Sequence, residues 1–419
     1  MLITKGIKAK LYPNHDQRAW LSQQFGDIRF VWNHFLAIEK GKWNRAKLYK
    51  MAKKAIPKPL KFPRKYDLYN QLKSLKKKYK WLAYSDSRSL QCELGILYQS
   101  YQNLFQHRAK APKFKSRKYF KQSYRTTSIP KQIGKSHVLK LAKLGYIRVR
   151  FNEPLVGKIK QVTVTHDSTG DYSASLTVEY ESQVQLPKTD QAIGIDVGLD
   201  DLAILSNGMK WNFKYYSKAN EAKKHKWQIK SARRRHGAIK DIRYNKHLQK
   251  KMPNHHVKTL VEYHNYQKAK HEVAKINHHI RNQRVNYLQF LTTWLVKHYD
   301  FIAIEDLKVS DMQHNHKLAR AIACASWYRF RTLLTYKCAW YGKHLELVNP
   351  KNTSRICHTC GKNTGAKPLN IRSFVCPYCH TKQDRDVNAS INILHLGLEQ
   401  AMANNSTSVQ YTSLQLCTE

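Results

Sequence analysis

Apolar positions change their period several times along the chain, and each change predicts a different kind of element. Residues 3–12 alternate weakly, as a short strand does, until Pro13-Asn14 stops the pattern. Asn14 with Gln17 three residues on resembles a capping box that opens a helix. Trp20, Leu21 and Phe25 give that helix an apolar face, and Phe30, Val31, Phe35 and Leu36 predict a second helix after it. Leu94, Leu97, Tyr101, Leu104 and Phe105 share one side of a helix predicted over 90–105. From Lys113 to Tyr180 the period moves toward two. Residues 146–151, 162–165 and 175–180 alternate cleanly, the last two joined by a turn at Ser168-Thr169-Gly170-Asp171. This middle segment reads as a β-rich module that ends at a boundary near Leu186-Pro187.

A different order follows. Ala192-Ile193-Gly194-Ile195-Asp196 begins an α/β region, and a basic helical tract covers 217–298 with a break near Pro253. Val273, Ile276, Ile280, Tyr287, Leu291 and Leu295 recur there at helical spacing. Phe301-Ile302-Ala303-Ile304-Glu305 is a short continuous apolar run, suited to a parallel strand buried on both faces. A helix over 327–341 and a strand over 345–348 come next, and from Asn404 onward the polar sequence predicts a frayed tail. The fold class is therefore α/β plus β.

Composition narrows the partners. The chain has 419 residues with 75 Lys+Arg against 28 Asp+Glu, a formal charge of +47. Such self-repulsion needs a polyanion or counterions to screen it, and nucleic acid is the plain candidate. Lys53, Lys54, Lys58, Lys61, Arg64, Lys65, Lys76, Lys77 and Lys78 carry Tyr66, Tyr69 and Tyr79 among them. Lys113, Lys115, Arg117, Lys118 and Lys121 surround Phe114, Tyr119 and Phe120. Charge interleaved with aromatics suits phosphate tracking and base stacking. The N-terminus has no long apolar stretch and no run approaches the roughly 18 residues of a membrane span, so a soluble, cytoplasmic protein without a membrane partner is expected.

The cysteines give the sharpest chemical signal. Cys357-x-x-Cys360, fifteen intervening residues, then Cys376-x-x-Cys379 fits a four-thiolate tetrahedral zinc ribbon. Four thiolates close the coordination shell, so that zinc is structural. Three acids can build a second, oxygen-ligand site for magnesium or manganese. Asp196 and Glu305 end apolar strands, whose C-terminal ends share one edge when neighbours run parallel. Asp386 stands at the head of a helix through Ala389, Ile391, Ile393 and Leu394, although Asp384 is as good a cap or acid by pattern alone. Asp200, Asp201 and Asp306 are more simply turn or solvated acids. The histidine pairs His255-His256 and His278-His279 have no ligand spacing and read as a wet helical face.

Several motifs in this order resemble one family. They are Gly194-Ile195-Asp196-Val197-Gly198-Leu199, Ile304-Glu305-Asp306-Leu307, and Asn315-His316-Lys317-Leu318-Ala319 with Ala325-Ser326-Trp327. Thr353-Ser354-Arg355-Ile356-Cys357 and Asp384-Arg385-Asp386-Val387-Asn388-Ala389 complete the set, with Leu11-Tyr12-Pro13-Asn14 and Arg29-Phe30-Val31-Trp32-Asn33 upstream. The family is TnpB, the transposon-encoded RNA-guided DNA endonucleases related to type V CRISPR nucleases. The resemblance implies an RNase H-like RuvC nuclease domain with an inserted zinc ribbon, and an N-terminal wedge β-barrel interrupted by a helical recognition region. It implies wedge barrel over 1–12 and 111–187, recognition helices over 13–110, and nuclease domain over 188–349 and 383–403. The ribbon would cover 350–382 and the tail 404–419. It places the motif acids on Asp196, Glu305 and Asp386, the last because the family's acid lies two residues before the Asn-Ala pair.

The function so implied is hydrolysis of target DNA beside a short recognised motif. Its partners would be a guide RNA from the transposon end, double-stranded target DNA and the displaced strand. The competing readings are an RNA-guided DNA-binding regulator that does not cut, and a compact type V CRISPR effector. A tyrosine transposase is disfavoured, since no His-hydrophobic-His plus Tyr arrangement is present.

Overall fold

The computed structural model describes residues 2–51, 62–117, 121–129, 131–132, 137–181, 185–213, 218–316, 318–368, 371–404 and 415–416. Lys53, Lys54, Lys58, Lys61, Lys118, Tyr119, Phe120, Lys317 and most of the expected tail lie outside them. The chain divides into two compact units, Met1–Ser182 and Gln183–Glu419.

The first unit is built on β1 (Leu2–Tyr12), β2 (Gln122–Thr126), β3 (Lys131–Gln132), β4 (Val138–Leu141), β5 (Gly145–Phe151), β6 (Lys158–His166) and β7 (Tyr172–Glu181). They form one sheet in the order β2-β6-β7-β1-β5-β4-β3, every adjacent pair antiparallel. Between β1 and β2 the chain makes α1 (His15–Met51), α2 (Lys65–Lys78) and α3 (Ser87–Phe105). The capping box at the head of α1 forms: Gln17 N–H donates to Asn14 Oδ1 at 2.8 Å, and Asn14 N–H to Gln17 Oε1 at 3.1 Å.

One expectation is corrected here. Two helices were expected over residues 15–36, but α1 is a single uninterrupted helix. Leu21, Phe25, Ile28, Val31, Trp32, Phe35 and Leu36 are all buried, so steps of three and four continue one apolar stripe through Gly26. Tertiary packing outweighs the roughly 1 kcal/mol that a mid-helix glycine costs.

The second unit is an α/β layer. It contains β8 (Gln191–Asp196), β9 (Asp201–Leu205), β10 (Lys210–Asn212), α4 (Lys218–Lys251), α5 (His264–His298), β11 (Phe301–Glu305), α6 (Val309–Met312), α7 (Ala319–Ala325), α8 (Trp327–Tyr341) and β12 (His344–Val348). After these come β13 (Ser373–Val375), β14 (Lys382–Asp384), α9 (Arg385–Ala403) and β15 (Gln415–Leu416). The main sheet runs β10-β9-β8-β11-β12, with β15 pairing the start of β8. Neighbours β8, β11 and β12 are parallel, and every residue of β11 is buried. The helical tract breaks over residues 252–263, so His255 and His256 lie in that connection and not on a helical face.

Side-chain alternation sorts this sheet into two cores. Ile193, Ile195, Ile302 and Ile304 pack with Leu288, Leu291 and Leu295 of α5 and Phe330 and Leu334 of α8. Ala192, Phe301, Ala303 and Val348 pack with Ile393, Leu394 and Ala401 of α9. Because the period of a strand is two, Asp196 shares the α9 face with Ala192, and Glu305 shares it with Phe301 and Ala303.

Candidate functional site

Strand register levels the first two acids. Ile195 stands opposite Ile304 in the parallel pair, so Asp196 and Glu305 follow as the next residues of adjacent strands, on the same face. Helix α9 crosses that face unusually closely. A Cβ built on Gly194 would lie 2.1 Å from Ser390 O and 2.7 Å from Leu394 N. One built on Gly397 would lie 2.6 Å from Ala303 Cβ. Two absent side chains thus allow helix backbone to rest on sheet backbone.

That crossing sets the height of Asp386. It precedes Ser390 by four helical residues, about 6 Å at 1.5 Å each, and Asp196 follows Gly194 by two strand residues, about 6.6 Å. The helix runs against the strand, so both acids climb by nearly the same amount toward one end. Asp384 is the N-cap of α9, accepting from the backbone N–H of Asp386 at 2.9 Å and of Val387 at 3.1 Å. Lys210 Nζ reaches its other oxygen at 2.7 Å. The cap is therefore Asp384, and the Asp386 carboxylate is left for other work.

The electrostatics link the three acids. Burial first, then the carboxylates of Glu305 and Asp386, push Asp196 up to about 8. Burial also raises Glu305, against a hydrogen bond from Thr353 Oγ1 at 2.8 Å that favours its ionised form. Arg372 rests on the edge of this group. Its guanidinium pairs with Asp200 and, at 3.1 Å, with Asp386 Oδ2. Trp327 Nε1 donates to Gly198 O at 3.3 Å and holds the turn that follows Asp196. The three carboxylates do not form a tight cluster. Among the described residues, the group of three or more ligand-type side chains with all donor atoms within 4.8 Å is the four cysteines.

Those cysteines fit zinc. Cys357 Sγ to Cys379 Sγ is 3.6 Å and Cys360 Sγ to Cys376 Sγ is 3.7 Å. Zn–S bonds of ~2.3 Å at tetrahedral angles give an S–S edge of roughly 3.8 Å. The separations are thus edges of a thiolate tetrahedron and not S–H···S hydrogen bonds. The two knuckles repeat one geometry. Cys357 N–H donates to Lys362 O and Cys376 N–H to Thr381 O, both at 3.0 Å, while Gly361 N–H and His380 N–H close back on Cys357 O and Cys376 O at 2.9 Å. Gly361 and His380 occupy the left-handed region that this turn requires, at φ of 71° and 59°. Gln383 Nε2 donates to Cys357 Sγ at 3.0 Å, an outer partner that stabilises a thiolate.

Sequence reasoning missed Arg372, Thr353 and the close approach at Gly194. Thr353 and Gly194 lie inside quoted motifs, but nothing in their spacing marks them as a partner of Glu305 or a seat for α9. Arg372 lies between the two cysteine pairs, among apolar and neutral polar residues, and carries no local signal.

Comparison with known proteins adds independent findings. A family model described as "Probable transposase" matches residues 175–316, and one described as "Cas12f1-like, TNB domain" matches 327–393. A third, "Helix-turn-helix domain", matches 1–47, a stretch that is here β1 and most of the single helix α1. A Streptomyces pristinaespiralis protein named "Putative RNA-guided DNA endonuclease" is 30% identical over 98% of this chain and 94% of its own length. An Escherichia coli K12 protein, "Putative RNA-guided DNA endonuclease InsQ", is 28% identical over 94% of this chain and 92% of its own. A solved Cas12f1–sgRNA–target DNA complex is 12% identical, covering 94% of this chain and 98% of that one at a TM-score of 0.44.

Proposed function

The chain belongs to the TnpB family of RNA-guided DNA endonucleases, and on that premise we propose that Asp196, Glu305 and Asp386 are its catalytic acids. The protein is a nuclease that hydrolyses DNA under the direction of an RNA. Base pairing with the guide reads most of the target, and the protein reads a short adjacent motif. The guide is transcribed from the transposon end, and the displaced strand follows the basic, aromatic-bearing surface.

In this reading residues 188–349 and 383–403 form an RNase H-like RuvC domain, and 350–382 its inserted zinc ribbon. Residues 1–12 and 111–187 are a wedge barrel, with a recognition insert over 13–110. The observation that supports the acid assignment best is that strand register and the α9 crossing carry Asp196, Glu305 and Asp386 to one end of the sheet. Burial, then its two neighbours, raise Asp196 to about 8, and a divalent cation there would favour the ionised carboxylate.

Oxygen donors suit magnesium or manganese. When bound, such an ion supplies Lewis-acid stabilisation of the phosphoryl group and acidifies water. The chain's own residues do the rest. Asp384 caps α9 so that Asp386 stays uncommitted to the backbone. Arg372 places a guanidinium beside the acids, where it exchanges carboxylate for substrate phosphate. The four cysteines hold structural zinc with no open position.

The test is Asp196→Ala in the RNA-loaded protein. Cleavage is expected to vanish while RNA and target binding stay within about twofold of native. Equal loss of binding and cutting would remove Asp196 from the chemistry. Retained cutting would end the nuclease assignment of all three acids.

A further inference from the structure

Around Glu305 and Asp386 lies a set of buried polar side chains that the chemistry above leaves unused. Thr353 is 4% exposed, Asn388 1% and Asn392 7%, and each makes short, well-formed hydrogen bonds. Thr353 Oγ1 donates to Glu305 Oε1 at 2.8 Å, with Pro350 O a more distant neighbour at 3.3 Å. A hydroxyl has a single proton, so the charged, nearer oxygen takes it.

The two asparagines tie the other side of that loop to α9. Asn392 Nδ2 donates to Thr353 O and to Ile356 O, both at 2.8 Å. Asn388 Nδ2 also donates to Ile356 O at 2.8 Å, and Asn388 Oδ1 accepts from His358 N–H at 2.9 Å. Ile356 and His358 flank Cys357, the first zinc ligand of the ribbon. Asn388 lies two residues beyond Asp386 on the same helix. A continuous polar strap therefore runs from the Glu305 carboxylate, through Thr353 and both carboxamides, to the cysteine knuckle and to the first turn of α9.

We infer that Thr353 is a positioning residue for Glu305, and that the strap through Asn388 and Asn392 makes the cysteine knuckle a brace holding Glu305 and Asp386 in fixed relation. This rests on the acid assignment proposed above. A carboxylate ligand usually needs an outer hydrogen bond to fix its orientation, and losing one typically weakens ion affinity by 10–100-fold. In this chain the outer partner comes from the base of the ribbon. A purely structural strap would need only a satisfied Thr353. It would give no reason for the hydroxyl to point at a catalytic carboxylate.

The experiment compares Thr353→Val, which keeps shape and removes the hydroxyl, with Thr353→Ser, which restores it, in the full chain loaded with its RNA. Three quantities are read: manganese binding by electron paramagnetic resonance, the divalent concentration at half-maximal cleavage, and bound zinc. For Thr353→Val we expect manganese affinity to fall roughly tenfold or more. Half-maximal cleavage should move to correspondingly higher ion concentration, with zinc and RNA retained. Thr353→Ser should return manganese affinity and half-maximal cleavage toward native. If Thr353→Val does not fold, Thr353→Ala is read in its place against the same serine variant.

Native manganese affinity in the valine variant overturns the inference. So does a serine variant impaired as badly as valine, or an impairment that tracks melting temperature alone. Failure of the underlying acid assignment looks different: Asp196→Ala would then leave manganese binding and cleavage intact, whatever Thr353 does.

Discussion

Gly194→Ala is a one-carbon change whose consequence can be worked through from the packing. The added Cβ would sit 2.1 Å from Ser390 O, 2.7 Å from Leu394 N and 2.8 Å from Leu394 Cβ. Two of those three atoms belong to helix backbone, which cannot rotate aside as a long side chain can. Opening the shortest contact to 3.0 Å, below which real Cβ atoms essentially never approach, moves α9 by about 0.9 Å. The shift is paid in a closely packed layer, since Ile393 and Leu394 are fully buried against β8 and β11. Overpacking of this kind costs about 1–3 kcal/mol, and backbone contact puts this site at the upper end. Asp386 rides on the same helix, four residues from Ser390. A 1 Å displacement of a reacting group lowers rate by about 100-fold. Stability is read by urea unfolding, and cleavage under single-turnover conditions at saturating magnesium. The expected result is a loss of about 3 kcal/mol with a disproportionate loss of cutting, RNA retention being near native. A variant within about 0.5 kcal/mol of native that cuts at full rate would refute the close-crossing account of how Asp386 is placed.

Two further outcomes are expected. Cys376→Ser should abolish zinc retention and unfold the ribbon while the main sheet persists, measured as metal content beside hydrogen exchange; a variant that keeps its zinc would break the four-thiolate assignment. Lys337 is buried and its pKa is lowered to about 8, with Gln289 O, Thr292 Oγ1 and Thr293 Oγ1 at 2.7–2.8 Å from its ammonium. Its folded pKa lies below the unfolded one, so between about pH 8 and 10.4 the unfolded chain holds the extra proton and native stability rises with pH. The rise is at most about 3 kcal/mol, since the three oxygens favour the charged form. Lys337→Met should lack it, and an unchanged difference in stability between pH 8 and pH 10.4 would sink the idea.

Much of the second unit was legible because its signals are local. A run such as Phe301-Ile302-Ala303-Ile304 has nowhere to go except the inside of a parallel sheet, and α8 spans the expected residues 327–341. Cysteine spacing fixes a ligand set without knowledge of the rest of the chain, because two tight knuckles need only their own residues. The first unit was less legible. The stripe from Leu21 to Leu36 keeps helical spacing throughout, and the break expected there had no residue to cause it.

Sequence alone determined which side chains could take part: four thiolates in two knuckles, and acids closing apolar strands in a chain poor in acid. Tertiary structure decided how they stand to one another. Whether Asp384 or Asp386 caps the helix depends on which carboxylate faces the free N–H groups, and that is a matter of backbone path. The placement of Asp196, Glu305 and Asp386 at one end of the sheet depends on strand register and on a helix resting against Gly194 and Gly397. Thr353 reaches Glu305 across 48 residues of chain and Arg372 reaches Asp386 across 14. Contacts of that separation leave no periodic trace, because they are selected by packing in three dimensions and not by neighbours along the backbone.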